Sequence, residues 1–433
     1  MTGSLVQLVA IGAQDVALTG DPEITFFSSL YRPYINFAME EQPQSFTGTQ
    51  DFGGEVQLSV NRNGDLIMQS LLEVTLPAVQ VTGDNATFQW APMIGNTLIK
   101  HVIVEIGGVD IDKHWGDFYN IWNELTIPEE KREGYNTMIG QQNMKYNKTD
   151  PADIVVYEDG LQTPLASQPA TTLQIPLQFW FCTNSGLALP LIALQYHDVR
   201  FKLQIRPITE LYRLTGNNVV IVGGTPHIQN MRIWINYVVI DNAERKVIAK
   251  EPAEYLITQL QRLDESITQS TYSFNLHFNH PCKELIWTIQ ENYVVAANVN
   301  DWTNWEVAND TYAGYDPTIN GVPGDDPITT ALLKINGNDR FTTRTGDYFN
   351  KTQPYYFHSR VPKSNGVFVY SFALKPEEYQ PGGTCNFSRI DNAQLQVVMK
   401  NINTLNPGKG YIYAINYQLF RIASGMGGIA YAS

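Results

Sequence analysis

Short sequence matches occur in the same order in the two halves of this chain, and they limit what it can fold into. The matched pairs are Glu105–Asp112 with Lys334–Phe341, Gly116–Asn120 with Gly346–Asn350, and Ile235–Tyr237 with Ile415–Tyr417. The second pair is offset by 346 − 116 = 230 residues and the third by 415 − 235 = 180 residues. Two copies of one domain keep the order of such matches while the loops between them diverge. The repeats therefore predict a duplicated domain.

Composition and charge exclude several classes of function. A length of 433 residues suits two domains of about 200 residues each. The net charge is −14 and no Lys/Arg-rich run is present, which argues against direct binding of nucleic acid. No stretch approaches the ~18 apolar residues that a membrane span requires. The first ten residues also lack the basic start of a signal peptide, so we expect synthesis in the cytoplasm.

The three cysteines, Cys182, Cys282 and Cys385, are an odd number, are widely spaced and form no C-x-x-C motif. We interpret them as reduced, buried side chains and expect no disulfide to hold the fold.

Short apolar runs separated by turn residues predict an all-β fold. Glu55–Val60 alternates apolar and polar residues, Leu66–Leu76 is a longer extended run, and Ile99–Ile106 ends at two glycines. The same rhythm continues after residue 270. Connections of 20 to 50 residues are typical of a jelly roll, which joins two sheets by long crossovers. The longest irregular stretches, Ile127–Thr172 and Asn292–Pro327, are predicted to be surface loops.

Four segments follow from this pattern. Residues 1–26 form an N-terminal arm that is too short for its own core, with Leu5, Leu8 and Val9 as an apolar helical face. The remaining segments are a first domain at 27–241, a short helical linker at 242–253 and a second domain at 254–433. The linker is predicted from a helical pattern that begins at Asn242, is interrupted by Pro252 and resumes over Ala253–Leu260.

Candidate catalytic and metal-binding groups are few. An extended segment carries Asp110, Asp112 and His114 at alternate positions, so the three side chains would share a face. They either bind a cation or form hydrogen bonds within their own loop. His277 and His280 have a metal-type spacing but are predicted to face different ways. Glu40–Glu41 and Glu377–Glu378 are adjacent carboxylates, which rarely form an acid/base couple. With none of the common catalytic motifs present, we predict no enzyme, cofactor or metal.

Longer segments along the whole chain resemble the major capsid proteins of nucleocytoplasmic large DNA viruses. Their sequences are most similar to those of the algal-virus branch. The resembling segments are Gln7–Asp15, Leu18–Phe27, Tyr31–Ala38, Arg62–Ile67, Gly186–His197, Asn275–Pro281, Asn338–Phe341, Tyr370–Pro376, Gly382–Asn392 and Ser424–Gly428. The resemblance implies an all-β fold of two consecutive eight-stranded jelly-roll sandwiches. It also implies a homotrimer of pseudo-sixfold outline that tiles an icosahedral shell over an internal membrane.

From that resemblance we expect partners and surfaces as well as a fold. The partners would be other copies of the chain, minor capsid proteins and the membrane side of the virion, without direct contact with nucleic acid. Leu5, Leu8 and Val9 would be assembly contacts of the arm. Outward loops would carry covalent glycans, and among the five Asn-x-Ser/Thr sequons Asn309 is the first candidate. The alternative is a carbohydrate-binding or carbohydrate-active β-sandwich that uses Trp302, Trp305 and Tyr312 as an aromatic platform.

Overall fold

The computed structural model describes residues 3–13, 15–24, 29, 31–141, 144–146, 155–157, 164–307 and 326–431. The chain divides into two compact units, Met1–Phe37 and Ala38–Ser433. In the first unit the described residues form two short helices, α1 (Gly3–Val9) and α2 (Val16–Thr19). The predicted arm, residues 1–26, lies within this unit, which continues to Phe37.

The first half of the larger unit is a β-sandwich, called the first sandwich. Its strands are β1 (Phe37–Ser45), β2 (Thr47–Gly48), β3 (Glu55–Ser59), β4 (Leu66–Leu76), β5 (Val79–Trp90), β6 (Ile99–Ile106), β7 (Val109–His114), β8 (Met144–Tyr146), β9 (Val155–Tyr157), β10 (Ser167–Gln168), β11 (Thr171–Pro176), β12 (Leu189–Pro190), β13 (Val199–Ile205), β14 (Tyr212–Ile221) and β15 (Asn230–Ile240). One sheet has the order β1-β15-β4-β11, called the β15 sheet, and the facing sheet has the order β2-β3-β13-β6-β7. Two further sheets, β10-β5-β14 and β8-β9, are separate from these.

The second half repeats this topology in the second sandwich. Its strands are β16 (Ala253–Ile267), β17 (Thr271–Asn275), β18 (Pro281–Glu291), β19 (Ile328–Ile335), β20 (Asn338–Asp339), β21 (Arg344–Thr345), β22 (Val367–Ser371), β23 (Cys385–Asn386), β24 (Ala393–Met399), β25 (Gly408–Ala423) and β26 (Met426–Ile429). One sheet has the order β16-β25-β18-β22, called the β25 sheet, and the other has the order β17-β24-β19-β20. The order β1-β15-β4-β11 matches β16-β25-β18-β22, and β3-β13-β6-β7 matches β17-β24-β19-β20, with β2 as an additional edge strand in the first sandwich. Two jelly rolls in one chain account for this repetition.

Helices occupy the connections between strands. They are α3 (Ile94–Leu98), α4 (Gly116–Thr126), α5 (Glu129–Met138), α6 (Trp180–Thr183), α7 (Asn242–Lys250) and α8 (Gln353–Phe357), with 3₁₀ turns at Ser185–Leu187, Ile208–Glu210 and Phe387–Arg389 and a π-helical turn at Tyr348–Thr352. The α7 helix begins after Asp241, whose carboxylate accepts a hydrogen bond from the Asn242 N–H.

The repeated glycines have the same structural role in both sandwiches. A Cβ atom on Gly116 would lie 2.3 Å from the carbonyl oxygen of Ile99, the first residue of β6. A Cβ atom on Gly346 would lie 2.3 Å from the carbonyl oxygen of Ile328, the first residue of β19. Because only glycine lets each helical segment approach its strand so closely, the structure confirms that these matches are equivalent positions.

The third match marks equivalent strands but not equivalent side chains. Ile235 in β15 faces the interior of the first sandwich, opposite Ser70 of β4. Ile415 in β25 lies opposite Glu284, whereas its neighbour Ala414 points into the second core. The repeated isoleucines therefore differ in direction: Ile235 faces the core of its own sandwich, whereas Ile415 faces away from the core of the second sandwich.

The β25 sheet is buried on both of its sides. Leu285, Trp287 and Ile412 on one side form the core of the second sandwich. Ile286 and Tyr413 on the other side join the apolar cluster that also fills the first sandwich. The run of buried residues along β18 is the expected pattern for a strand covered on both faces.

Two expectations from the sequence are wrong. Ala253–Leu260 does not resume a helix but begins β16, which pairs without a register break with β25 from Ala253 to Ile267. This long-range pairing outweighs local helix propensity. The Ile127–Thr172 stretch is not irregular throughout, because α5 occupies Glu129–Met138 with two glutamates in its first turn.

Candidate assembly surfaces

The Asp110, Asp112 and His114 segment, a candidate cation site, contributes to the contact between the sandwiches. Asp110 is exposed and lies 3.1 Å from the Lys202 ammonium, because a β-bulge places it on the other face from Asp112. Asp112 and His114 are buried, and the His114 Nε2 atom lies 2.9 Å from the Asp112 Oδ2 atom. Asp112 also accepts a hydrogen bond from the Leu260 N–H of β16. The expectation that all three share a face is wrong, and no metal-binding group of three or more residues exists within the described ranges.

The other chemical candidates are separate groups. His277 is exposed and His280 is buried, so the prediction that they face different ways is confirmed. The Glu377 carboxylate contacts the His358 imidazole, whereas the Glu378 carboxylate lies 2.6 Å from the Lys375 ammonium group. Nothing in these positions resembles an acid/base pair.

The α4 helix of the first sandwich contacts the outer side of the β25 sheet. The Phe118 ring lies 5.4 Å from the Tyr413 ring, and the Trp122 ring lies 6.3 Å from the His358 ring in an edge-to-face arrangement. Aromatic pairs at such distances add specific geometry to the burial of apolar area. The helix thus joins the two sandwiches through aromatic side chains.

Buried charges cross the same junction. The Asp117 carboxylate of α4 lies 2.9 Å from the Arg206 guanidinium and 3.8 Å from that of Arg262 in β16. The Arg262 guanidinium is also 4.7 Å from the centre of the Tyr411 ring. All three charged side chains are largely buried, so removal of the shared Asp117 carboxylate would deprive two largely buried guanidinium groups of a partner.

A second ionic cluster lies at the end of α4. The Glu124 carboxylate is 2.9 Å from Arg132 in α5 and 3.4 Å from Arg360 in the second sandwich. Glu129 receives a hydrogen bond from Lys363 at 2.8 Å, and this bond lowers the pKa of the Glu129 carboxyl. The segment after α8 thereby forms ion pairs with both α4 and α5 of the first sandwich.

His358 begins this segment with its side chain fully buried between two carboxylates. Its Nε2 atom lies 3.0 Å from Glu284 and its Nδ1 atom 2.9 Å from Glu377. Burial alone would lower the pKa of His358, but the two carboxylates outweigh burial and raise the pKa to about 9. His358 is therefore an imidazolium at neutral pH.

We expect the protein to lose stability in alkaline solution through His358. Because the folded-state pKa exceeds the ordinary value of 6.5, the stabilisation is complete below pH 6.5 and disappears as pH rises through about 9. This interval corresponds to roughly 3 kcal/mol of unfolding free energy. Thermal unfolding from pH 6 to 10 should show the decrease in wild type and in a His277→Gln control. The decrease should be absent in His358→Gln, and an equal decrease in that variant would contradict the assignment.

The described part of the Asn292–Pro327 loop lies against the first sandwich. Asn298 exchanges two hydrogen bonds with the backbone of Leu214 in β14. The buried Asn300 amide donates to the carbonyl oxygens of Thr209 and Tyr212. The expectation that this loop stays solvated is therefore wrong for residues 300–301, which are buried.

The proposed aromatic platform is also occupied. The Arg206 guanidinium lies 3.8 Å from the centre of the Trp302 ring, whose Nε1 atom donates to the Glu210 carbonyl. Trp305 is buried in the core, and Tyr312 lies outside the described residues. The two described tryptophans do not offer a sugar-binding surface.

The Gly425–Gly428 segment packs closely against its neighbours. Its last three residues lie in β26, which pairs with β25, and a Cβ atom on Gly427 would lie 2.5 Å from the Leu194 side chain. Only glycine allows the backbone of this edge strand to approach the first sandwich so closely.

Within the described residues, two surfaces that correspond to those joined by the α4 contact are not covered in this way. On the outer side of the β15 sheet, Leu71 and Trp234 are half-buried beside a Glu73–Arg232 ion pair of 2.7 Å. In the second sandwich, the helical segment that corresponds to α4 presents Tyr355 and Tyr356, which are 72% and 71% exposed. In the first sandwich the α4 helix is covered by the β25 sheet. In the second sandwich the outer side of the β25 sheet is covered by α4.

The arm residues singled out from the sequence lie in α1. Leu5, Leu8 and Val9 are 49%, 71% and 75% exposed. They are apolar side chains of a short helix in which no residue is buried.

The sequons differ in accessibility. Asn350 is buried and donates hydrogen bonds to the carbonyl oxygens of Ser364 and Val367, so its role is structural. Asn85 and Asn386 are exposed. The first candidate, Asn309, lies outside the described residues, as does Asn147.

Sequence reasoning missed the junction between the sandwiches. Asp117 and Phe118 belong to the repeated Gly116–Asn120 match, which was available as a signal. Their partners Arg262 and Tyr413, however, are nearly 150 and 300 residues away in the sequence, and no local pattern links them.

Two family models together match most of the chain. A model described as "Major capsid protein N-terminus" matches residues 25–241, and one described as "Large eukaryotic DNA virus major capsid protein" matches residues 244–428. The major capsid proteins of Phaeocystis pouchetii virus and Paramecium bursaria Chlorella virus 1 are 39% and 37% identical to this chain, each over 100% of both sequences.

Solved structures agree with the sequence matches. The chain in the structure "PBCV-1 virus capsid, quasi-atomic model" has a TM-score of 0.71 at 32% identity, with coverage of 94% of this chain and 100% of that one. The Faustovirus major capsid protein has a TM-score of 0.78 at 15% identity, with coverage of 95% and 94%, which supports the fold alone. Within the described residues, no helix is both long and apolar enough to cross a membrane.

Proposed function

The chain belongs to the family of major capsid proteins of large eukaryotic DNA viruses, and we propose that three copies form a capsomer of six similar sandwiches. Such capsomers tile an icosahedral shell in the virion. The proteins of this family are structural components and not enzymes.

One observation carries the trimer. Within the chain, the helix of the first sandwich packs on the outer side of the second sandwich's β25 sheet. Within the part of the chain that the structure describes, the corresponding helical segment of the second sandwich leaves Tyr355 and Tyr356 exposed, and the outer side of the β15 sheet leaves Leu71 and Trp234 half-buried. A contact that joins different surfaces repeats from copy to copy, and it closes into a ring when the rotation is right.

In the proposed ring, Tyr355 and Tyr356 of one copy pack on the outer side of the β15 sheet of the next. Leu71 and Trp234 would supply apolar area there, and the Glu73–Arg232 pair would lie at its edge. Three such contacts alternate with three contacts inside the chains. Six similar sandwiches in one ring give the hexagonal outline that tiling needs.

Solution mass is the direct test of the oligomer. Light scattering of the purified protein should give about three times the chain mass of 48.8 kDa. A concentration-independent mass of 48.8 kDa, or of twice that value, would contradict the trimer.

The exposed arm supports a second part of the proposal. Since α1 buries none of its residues, we propose that Leu5, Leu8 and Val9 dock on a minor capsid protein or on the membrane side of the shell. Burial of three such side chains would contribute several kcal/mol per copy.

We expect deletion of the arm, residues 1–26, to leave the trimer intact and to impair shell assembly. Light scattering would measure the first effect, and electron microscopy of particles from infected or co-expressing cells would measure the second. A deletion variant that becomes monomeric would place the arm in the interface between subunits instead.

The domain boundaries are also proposed and not measured. A first domain at 27–241, a linker at 242–253 and a second domain at 254–433 agree with the position of α7 and with the gap between the two family matches. We further propose that covalent glycans, where present, lie on outward loops, with Asn309 as the first candidate.

A further inference from the structure

Two of the three cysteines lie directly opposite each other on neighbouring strands. Cys282 in β18 is the antiparallel register partner of Cys385 in β23. Both are free thiols in the structure, although they are 385 − 282 = 103 residues apart in the sequence. The sequence spacing alone gives no sign of this pairing.

The geometry of the strand pair suits a disulfide bond. Directly opposed residues of antiparallel strands have Cα atoms about 4.5 to 5.5 Å apart, and their side chains lie on the same face of the sheet. Disulfides span Cα distances of about 4.4 to 6.8 Å. Cys282 belongs to the core of the second sandwich, and Cys385 packs against that core. The two thiols therefore share one apolar environment.

The two thiols differ in access to solvent. Cys282 is fully buried, and its thiol lies 3.6 Å from the carbonyl oxygens of Asn279 and His280. Cys385 is only partly buried. Burial raises the pKa of Cys385, but Arg340 opposes this effect, so Cys385 is the thiol that an external reagent meets first.

We infer that Cys282 and Cys385 form a redox-controlled covalent link between β18 and β23, made by exchange with a small-molecule disulfide such as oxidised glutathione. The Cys385 thiolate attacks one glutathione sulfur, which forms a mixed disulfide and releases one glutathione thiolate. Cys282 then loses its proton to solvent and attacks the Cys385 sulfur, and the second glutathione thiolate leaves. Two protein thiols are oxidised and one glutathione disulfide is reduced to two thiols.

The disulfide would hold the long connection between β22 and β24 against strand β18 of the β25 sheet. β23 is two residues long and lies in the connection from β22 to β24, between Ser371 and Ala393. A bond at Cys385 would hold this connection to β18 even when the strand pairing opens. If the proposed role in a virion shell is correct, the bond would form after release from a reducing cell into an oxidising medium.

Peptide mapping tests the inference on the full-length protein. The protein is incubated with oxidised glutathione at pH 8.5, alkylated and digested without reductant. Free thiols should fall from three to one per chain, and one linked peptide pair should contain residues 282 and 385. Reduction should separate the pair, and the oxidised protein should unfold several degrees higher than the reduced protein.

Variants distinguish the link from general oxidation. Cys182→Ala is the matched control and should retain the link, because Cys182 lies in α6 of the first sandwich and not on β18 or β23. Cys282→Ala should stop at the glutathione adduct of Cys385. A wild-type protein that keeps three free thiols, stops at the adduct, or pairs Cys182 would overturn the inference. The wild-type map decides the matter even if a variant fails to fold.

Discussion

Replacement of Tyr355 and Tyr356 by aspartate should convert the proposed trimer into folded monomers. The two rings lie 5.3 Å apart on α8 and are exposed in the single chain. In the proposed ring they pack on Leu71 and Trp234 of the next copy. Loss of a buried aromatic side chain at an interface typically costs roughly 2 to 4 kcal/mol, and a buried aspartate adds a desolvation penalty.

Light scattering and circular dichroism should together reveal this effect. The double variant should have a mass of 48.8 kDa and an unchanged β-rich spectrum. Leu405→Asp is the matched control, because Leu405 is 95% exposed but lies in the connection between β24 and β25. A Tyr355→Asp/Tyr356→Asp protein that remains trimeric would show that α8 is not at the interface.

The second large effect concerns the two repeated glycines. Gly116→Ala would place a methyl group 2.0 Å from the carbonyl oxygen of Asn96, and Gly346→Ala would place one 2.3 Å from that of Ile328. Neither backbone oxygen can move without shifting the α3 helix or the β19 strand, so we expect a loss of roughly 3 kcal/mol or more in each variant.

Urea unfolding of each variant measures the loss. Gly134→Ala is the control, because nothing lies within 4 Å of its added Cβ atom in the interior of α5. That substitution should stabilise the protein by up to about 1 kcal/mol. A small effect at Gly346 together with a large one at Gly116 would mean that the two positions are not structurally equivalent.

Local signals explain which strands could be predicted. The β4 and β6 strands were predicted with their observed ends because turn residues or glycines bound an apolar run. The β16 strand was missed because Ala253–Leu260 also fits a helical pattern, and only its pairing with β25 decides the outcome. Local sequence does not contain that pairing.

The surfaces were less predictable than the fold. The repeated Gly116–Asn120 match marked equivalent positions in the two halves, but it predicted neither the α4 helix nor the sheet face that α4 covers. That face is set by long-range partners such as Tyr413 and Arg262. The cysteine pair is a similar case, since two residues 103 positions apart become opposed only when β23 pairs with β18.

A cryo-electron microscopy reconstruction of the purified oligomer tests the central claim most directly. We expect a ring of six sandwiches in which Tyr355 and Tyr356 of each chain contact the outer side of the β15 sheet of the next chain. Contacts inside and between chains should then be related by a pseudo-sixfold rotation. A ring that leaves Trp234 facing solvent, or an assembly in which two copies join through the same surface, would contradict the account.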